Sequence, residues 1–166
     1  MKIAFIIVMA GVITALTIVV RIPIPGTGGY LNLGDMAVVF CGLWIGGWWG
    51  ALAAGIGSAT ADLIGGFFIF IPITFIAKGL EGLIAGTLGR KKPVFLIFAV
   101  FSMVAVYFLS EIFIPGMGWS AAISELPFNL IQATVGAIGG FTIYKAVSVA
   151  FPVNSSQEEL KNGTKE

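Results

Sequence analysis

The sequence predicts an all-α membrane protein of six transmembrane helices with the N- and C-termini cytoplasmic. Of its 166 residues, 58% are hydrophobic and only 10% are charged, whereas soluble domains are about 45–50% apolar and about 25% charged. A chain of this length cannot bury that excess in one core, because small domains leave much of their surface exposed. The apolar residues also form runs close to the roughly 20 residues that cross a bilayer. We therefore expect lipid to cover the outside.

The first half of the chain predicts three helices. Helix one is expected over 3–20 and is followed by a loop rich in Pro and Gly. The next apolar region, 33–70, is too long for a single helix and is interrupted near the Gly-Gly pair 46–47. We divide it into two short helices over about 35–45 and 47–65.

The second half predicts three more helices. Helix four is expected over about 72–88, with a proline at its first position, where the missing N–H does no harm. The basic loop 89–93 separates it from helix five over about 94–113. Helix six is expected over about 124–150, and Ser124 is predicted to be its N-cap.

Basic residues predict the orientation, since Lys and Arg accumulate on the cytoplasmic side of membrane proteins. With six helices, both termini lie on the side that holds the basic loop 90–92 and most lysines, and Arg21 lies opposite. This organisation gives a transmembrane domain over 1–152 and a polar cytoplasmic tail over 153–166. Five or seven helices are the alternatives, because the second and third are short.

Composition excludes several classes of function. The chain has no histidine, the commonest general base and metal ligand. Cys41 is the single cysteine, so no disulfide framework or cysteine-based metal site is expected. No phosphate-binding GxxxxGK[ST] segment occurs, and a net charge of +1 does not indicate nucleic-acid binding. We expect no catalytic residues, cofactor or metal.

Charged residues inside predicted helices are the first candidates for a binding site, because ionisable groups are costly in a membrane. Asp62 lies near the end of helix three, Lys78 lies within helix four, and Glu81 follows three positions later. Residues at that spacing share a helix face. The alternative is that these groups neutralise one another and hold helices together.

A polar stripe on helix six is the second candidate. Glu125, Asn129 and Gln132 fall at i, i+4 and i+7, on one helical face. Gly136 and Gly140 continue the stripe and permit close helix packing. This pattern predicts a cavity closed on one side, with interhelical hydrogen bonding as the alternative.

The loops predicted to face outward carry aromatic and polar residues that suit a pocket for a flat heterocycle. Tyr30, Asn32, Phe67 and Trp119 are the candidates for its lid and walls. The aromatic residues also fit the belt found at membrane interfaces. Asp35, nearby, is interpreted as a cap of helix two.

Helix one carries small residues that permit close approach of another helix. Ala4, Gly11 and Ala15 are the candidates, and the last two form a small-xxx-small pattern.

Three segments together resemble the substrate-binding S component of energy-coupling-factor (ECF) vitamin transporters. They are RIPIP followed by GYLNLGD within 21–35, GIGSATADL at 55–63 and PITFIAKGLEG at 72–82. The resemblance implies six helices and a substrate pocket near the external face, lidded by the first and third external loops. It also implies that the small residues of helix one dock on a membrane partner, the T component, which is driven by two ATPases.

The resemblance is to the branch whose proposed substrates include pyridoxine and hydroxymethylpyrimidine. Riboflavin, a queuosine precursor or another small vitamin remain alternatives. Two other classes compete with an S component: a stand-alone facilitator or channel, and a membrane scaffold without a ligand.

Overall fold

The computed structural model describes residues 2–25, 27 and 29–151, so the predicted tail over 153–166 lies outside the described residues. The described residues form six α-helices, which confirms the first five predicted helices to within a few residues. Their bounds are α1 (Lys2–Val19), α2 (Gly34–Ile45), α3 (Gly47–Gly65), α4 (Ile71–Ile84), α5 (Leu96–Phe113) and α6 (Gly118–Ala150). A π-helical turn (Ala85–Gly89) extends α4, and a 3-10 turn (Pro93–Phe95) precedes α5.

Glycine and proline set the predicted helix breaks. Gly46 and Gly47 separate α2 from α3 with φ angles of 85° and 40°, which residues with a Cβ rarely adopt. Gly66 ends α3 in the left-handed conformation, a common helix terminator. Pro72 lies in the first turn of α4, as predicted.

Helix six begins earlier than predicted, and the assignment of Ser124 as its N-cap is wrong. The turn before the helix contains Gly116, with a φ angle of 88°. The helix begins at Gly118, whose φ angle is 72°. Ser124 is inside the helix, where its hydroxyl donates to the carbonyl of Ser120 at 2.8 Å. Serine can satisfy its hydroxyl in this way within a helix, so its presence does not mark a start.

A small antiparallel hairpin, absent from the all-α prediction, joins α1 to α2. Its strands are β1 (Ile22–Pro23) and β2 (Tyr30–Leu31), with Ile22 opposite Leu31 and Pro23 opposite Tyr30. Two residues per strand give too little pattern to be read from a sequence. We call this end of the bundle the hairpin end.

The six helices contact their neighbours in a closed order: α1, α3, α4, α5, α6, α2 and back to α1. Helix α2 also contacts α3 and α4 across this ring. Helices α3 and α6 therefore lie on opposite sides, which matters for the cavity described below.

Glycines bring α2, α3 and α4 unusually close. A Cβ on Gly50 would lie 2.8 Å from the Cα of Gly42, and one on Gly82 would lie 3.1 Å from the carbonyl oxygen of Gly50. Small residues at helix crossings allow this backbone approach in membranes.

Apolar side chains cover the outside and carboxyl groups lie within, the reverse of a soluble protein. Ile7 and Phe101 are more than half exposed, whereas Glu81 and Glu111 are fully buried. By length and apolar composition, three helices of the described chain are able to cross a membrane: Ile71–Gly89, Pro93–Phe113 and Gly118–Ala150. Two shorter apolar helices cover Ile3–Val19 and Gly34–Ile45.

Candidate functional site

A polar cavity opens between the helices at the hairpin end. Seven residues proposed from the sequence line it: Tyr30, Asn32, Asp62, Lys78, Glu125, Asn129 and Gln132. Six further residues complete the wall: Thr17, Gly29, Ser58, Phe70, Thr74 and Tyr107. The wall draws on the hairpin and on five of the six helices, α1, α3, α4, α5 and α6.

The other three proposed residues lie off the wall. Phe67 packs against Tyr30 with ring centroids 4.7 Å apart, and Glu81 lies behind the wall, 3.5 Å from the Lys78 ammonium. The expected place of Trp119 in the wall is not seen. Because α6 starts before it, Trp119 lies on the outer face of that helix, edge-on to Phe108 at 5.9 Å.

Asp62 and Tyr30 form one side of the cavity. The Tyr30 hydroxyl donates to Asp62 Oδ1 at 2.6 Å. Burial raises the pKa of Tyr30 well above its usual range, and the bond to Asp62 raises it further, so the phenol keeps its proton and stays a donor. Arg21 lies 4.9 Å above the Tyr30 ring and donates to the carbonyl of Ala61 at 2.7 Å.

A second group of polar side chains forms the floor. Lys78 makes an ion pair with Asp35, and Gln132 Nε2 donates to the other Asp35 oxygen at 3.2 Å. Gln132 Oε1 in turn accepts the backbone N–H of Asn32 at 2.7 Å. The hairpin, α2, α4 and α6 are thus joined by one chain of hydrogen bonds.

The interpretation of Asp35 as a helix cap is wrong. It lies inside the first turn of α2, whose start has no side-chain cap, and its carboxylate turns to Lys78 instead. A buried ammonium without a charged partner is costly, which accounts for the contact of this carboxylate with Lys78.

Hydroxyl groups of the wall were missed, although the sequence contains a signal for them. Ser58 precedes Asp62 by four residues and Thr74 precedes Lys78 by four, a spacing that places both pairs on one helix face. Thr74 Oγ1 and the Tyr107 hydroxyl are hydrogen-bonded at 2.8 Å. Tyr107 likewise precedes Glu111 by four residues.

Glu125 lines the α6 side of the cavity, away from Asp62 on α3. Glu125 is 3% exposed, and Glu111, fully buried, lies behind the wall. Glu111 lies beside Glu125 and Asn129. Gly29 of the hairpin segment touches the Glu125 carboxylate so closely that a Cβ there would overlap it.

The walls leave about 30 Å³ of free volume in the cavity, which is room for about two water molecules. A heterocyclic molecule does not fit this volume unless part of the wall moves. The wall offers carboxyl groups, amides, hydroxyls and aromatic rings. The described residues contain no cluster of metal-ligating side chains.

The residues proposed for docking lie on the outer surface of α1. Ala4, Gly11 and Ala15 are all exposed, and a Cβ on Gly11 would meet no atom within 4 Å. At Gly11, the outer surface of α1 therefore has room for a side chain or for a neighbouring helix.

Two relatives have similar sequences along most of their length. An uncharacterized protein of the gap 3' region in Pyrococcus woesei is 33% identical over 134 residues, which cover 77% of this chain and 88% of the relative. The thiamine precursor transporter HmpT of Lactococcus lactis subsp. cremoris (strain MG1363) is 32% identical over 132 residues, which cover 75% of this chain and 76% of the relative.

Comparison with known families gives a match over residues 1–149 to the ECF-type riboflavin transporter, S component. That is a family of transporter components and not of enzymes. The match spans nearly the whole chain and includes every helix and every residue of the cavity wall. This chain therefore belongs to the S component family of ECF-type transporters.

Proposed function

We propose that this chain captures a small water-soluble vitamin or vitamin precursor outside the cell and delivers it inward as part of an ATP-driven importer. The observation that carries the proposal is a polar cavity at one end of a bundle whose outside is apolar. A scaffold protein has no need of several buried charges around a cavity, since each is costly in a membrane.

The substrate range follows from the relatives. HmpT carries the name of a thiamine precursor transporter, and the matched family is described by riboflavin. The thiamine precursor and riboflavin are both nitrogen heterocycles. This favours hydroxymethylpyrimidine or pyridoxine as the substrate here, with riboflavin or a queuosine precursor as further candidates. Tyr30, Asn32, Asp62, Lys78, Glu125, Asn129 and Gln132 supply the polar contacts, with Phe67 and Glu81 supporting them.

We further propose that the six helices all cross the plasma membrane of a prokaryotic cell, with both termini cytoplasmic and the hairpin end outside. The domain then comprises 1–152, followed by a cytoplasmic tail over 153–166. Three long apolar helices and two shorter ones support this arrangement.

Ala4, Gly11 and Ala15 form the docking face for the membrane T component, which two ATPase subunits drive. The exposure of these three small residues supports this role, because small residues let a second helix approach closely.

The test is ligand binding by the purified protein, combined with mass spectrometry of any small molecule that copurifies. The proposal expects tight binding of one vitamin or precursor and no flux into liposomes from this subunit alone. Failure to bind any member of a panel of water-soluble vitamins and precursors would refute it. Flux in liposomes without ATP or partners would instead identify a facilitator.

A further inference from the structure

Buried carboxyl oxygens at the hairpin end have no hydrogen-bond partner among the described residues. They are Asp62 Oδ2, Glu125 Oε1 and both oxygens of Glu111. The three side chains are at most 3% exposed. Buried polar groups are nearly always paired in folded proteins, so these atoms need donors from elsewhere.

The cationic side chains near the cavity make their contacts with other groups, although Arg21 Nε has no hydrogen-bond partner among the described residues. Lys78 is paired with Asp35 and Glu81. Arg21 donates to a backbone carbonyl and lies over the rings of Tyr30 and Phe67. Among the residues that the structure describes, no ion pair reaches Asp62, Glu111 or Glu125.

These acceptors lie on two opposite sides of the cavity. Asp62 belongs to α3, and Glu125 belongs to α6, directly across the ring of helices. Glu111 lies beside Glu125 but not on the cavity wall, so the α6 side presents Glu125 with a second carboxyl group behind it, and the α3 side presents Asp62 Oδ2. The hydroxyls of Thr17 and Ser58, also without partners, lie on the wall and are able to donate or accept.

Ionised carboxylates accept hydrogen bonds and do not donate them. A proton shared between the neighbouring Glu111 and Glu125 carboxyl groups would satisfy one of their oxygens and leave the others as acceptors. A ligand that satisfies the acceptors on the two sides must carry donors at both ends, and an anion would add a further negative charge to a desolvated site. An amino group suits the Glu125 side, because it donates an N–H to Glu125 and brings no negative charge toward the Glu111 carboxyl group behind it. A single hydroxyl or N–H at the far end of the ligand is enough for Asp62.

We propose, on the basis of the proposed function, that the site selects a neutral or cationic heterocycle with an amino group at one end and a second donor at the other. Glu125, supported by Glu111, binds the amino group, and Asp62 binds the second donor. Anionic vitamins and phosphate esters are rejected.

The experiment is calorimetric titration of the purified full-length protein with three matched compounds. They are hydroxymethylpyrimidine, its oxo analogue with a carbonyl in place of the amino group, and its phosphate ester. We expect the amino compound to bind at least about tenfold more tightly than the oxo analogue, as one lost hydrogen bond to a charged group implies. The phosphate ester should not bind measurably.

The variant Glu125→Gln keeps the side-chain volume but replaces one acceptor with a donor. It should reduce the ratio of amino to oxo affinity by about tenfold. A general folding defect would lower both affinities and leave their ratio unchanged, so the ratio separates the two effects. Thr142→Val, which alters an exposed hydroxyl bonded within α6, serves as the control and should keep the wild-type ratio.

Several results would overturn this inference. They are an oxo analogue that binds as well as the amino compound, a phosphate ester that binds as well, or an unchanged ratio in Glu125→Gln. Tight binding of pyridoxine or riboflavin without binding of hydroxymethylpyrimidine would refute the amino-group requirement and leave the capture function standing. Failure to bind every compound of the vitamin panel would overturn both.

Discussion

Lys78 of α4 is paired with Asp35 of α2 beneath the cavity, and neither side chain is more than 3% exposed. Glu81 lies 3.5 Å from the same ammonium, so one cation is held between two carboxylates. Removing one partner from a buried pair is costly, because the remaining charge is left without compensation.

Lys78→Met should therefore destabilise the protein by about 3–5 kcal/mol, measured as a lowered unfolding midpoint in detergent. The double variant Lys78→Met with Asp35→Leu should recover part of that loss, since Asp35 no longer leaves a buried charge and only Glu81 has lost its cationic partner. Thr142→Val, whose exposed hydroxyl bonds only within its own helix, should unfold like the wild type. A single variant as stable as the wild type would contradict the proposed importance of the pair.

Tyr30→Phe tests the opposite side of the cavity. The change removes the donor to Asp62 and keeps the ring that packs on Phe67. Loss of this hydrogen bond to a charged group should lower the free energy of unfolding by about 1.5–3 kcal/mol, measured in detergent, and should change the affinity of Asp62 for its ligand. Because burial raises the pKa of Tyr30, the wild-type contact should persist from neutral to mildly alkaline pH. A fall in affinity of the wild type between pH 7 and 9 that is absent in Tyr30→Phe would contradict this assignment.

Asn129→Ala removes an amide that is 7% exposed and lies on the cavity wall beside Glu111. Binding should weaken by about 1–3 kcal/mol if a buried ligand atom is left unpaired. Calorimetry with the natural ligand gives the measurement, and Thr142→Val on the outer face of the same helix is the matched control. Unchanged affinity would remove Asn129 from the site.

Gly29→Ala tests the approach of the hairpin segment to α6. The added methyl group would overlap the Glu125 carboxylate, so the segment should be held further from the helix. We expect faster ligand exchange and a lower affinity, visible in stopped-flow association and dissociation rates. Identical rates in the variant and the wild type would show that this contact does not close the cavity.

Gly11→Trp separates capture from delivery. Gly11 lies on the outer face of α1, where a Cβ meets no atom of the described residues within 4 Å, so ligand binding by the isolated subunit should be unchanged. Uptake by cells that contain the partner subunits should be strongly reduced, because the helix can no longer be approached closely. Normal uptake would exclude this face as the docking surface.

Sequence patterns predicted the helices well where glycine, proline or basic loops interrupt apolar runs. The break at Gly46 and Gly47 was correct because few other residues accept such backbone angles. The start of α6 was wrong because Ser124 resembles a cap, and nothing local distinguishes a capping serine from one bonded within the helix.

The charged and amide residues of the cavity wall could be predicted from the sequence because they interrupt apolar helices. Charged and amide side chains such as Asp62 and Asn129 are conspicuous in apolar helices. Hydroxyls such as Ser58 and Thr74 are less so, since they can bond to their own helix. The Asp35–Lys78 contact joins residues 43 positions apart, and no local pattern contains that information.

Gln132 uses both ends of its amide within the protein, with the oxygen toward the Asn32 backbone and the nitrogen toward Asp35. The oxygen also accepts from the Asn32 side-chain amide, so a ligand that donates to it must compete with Asn32, whereas the nitrogen has a second N–H. Movement of the hairpin away from α6 would release the oxygen and leave the nitrogen on Asp35. One side chain would then both hold the hairpin in place and offer an acceptor to a ligand once the hairpin has moved.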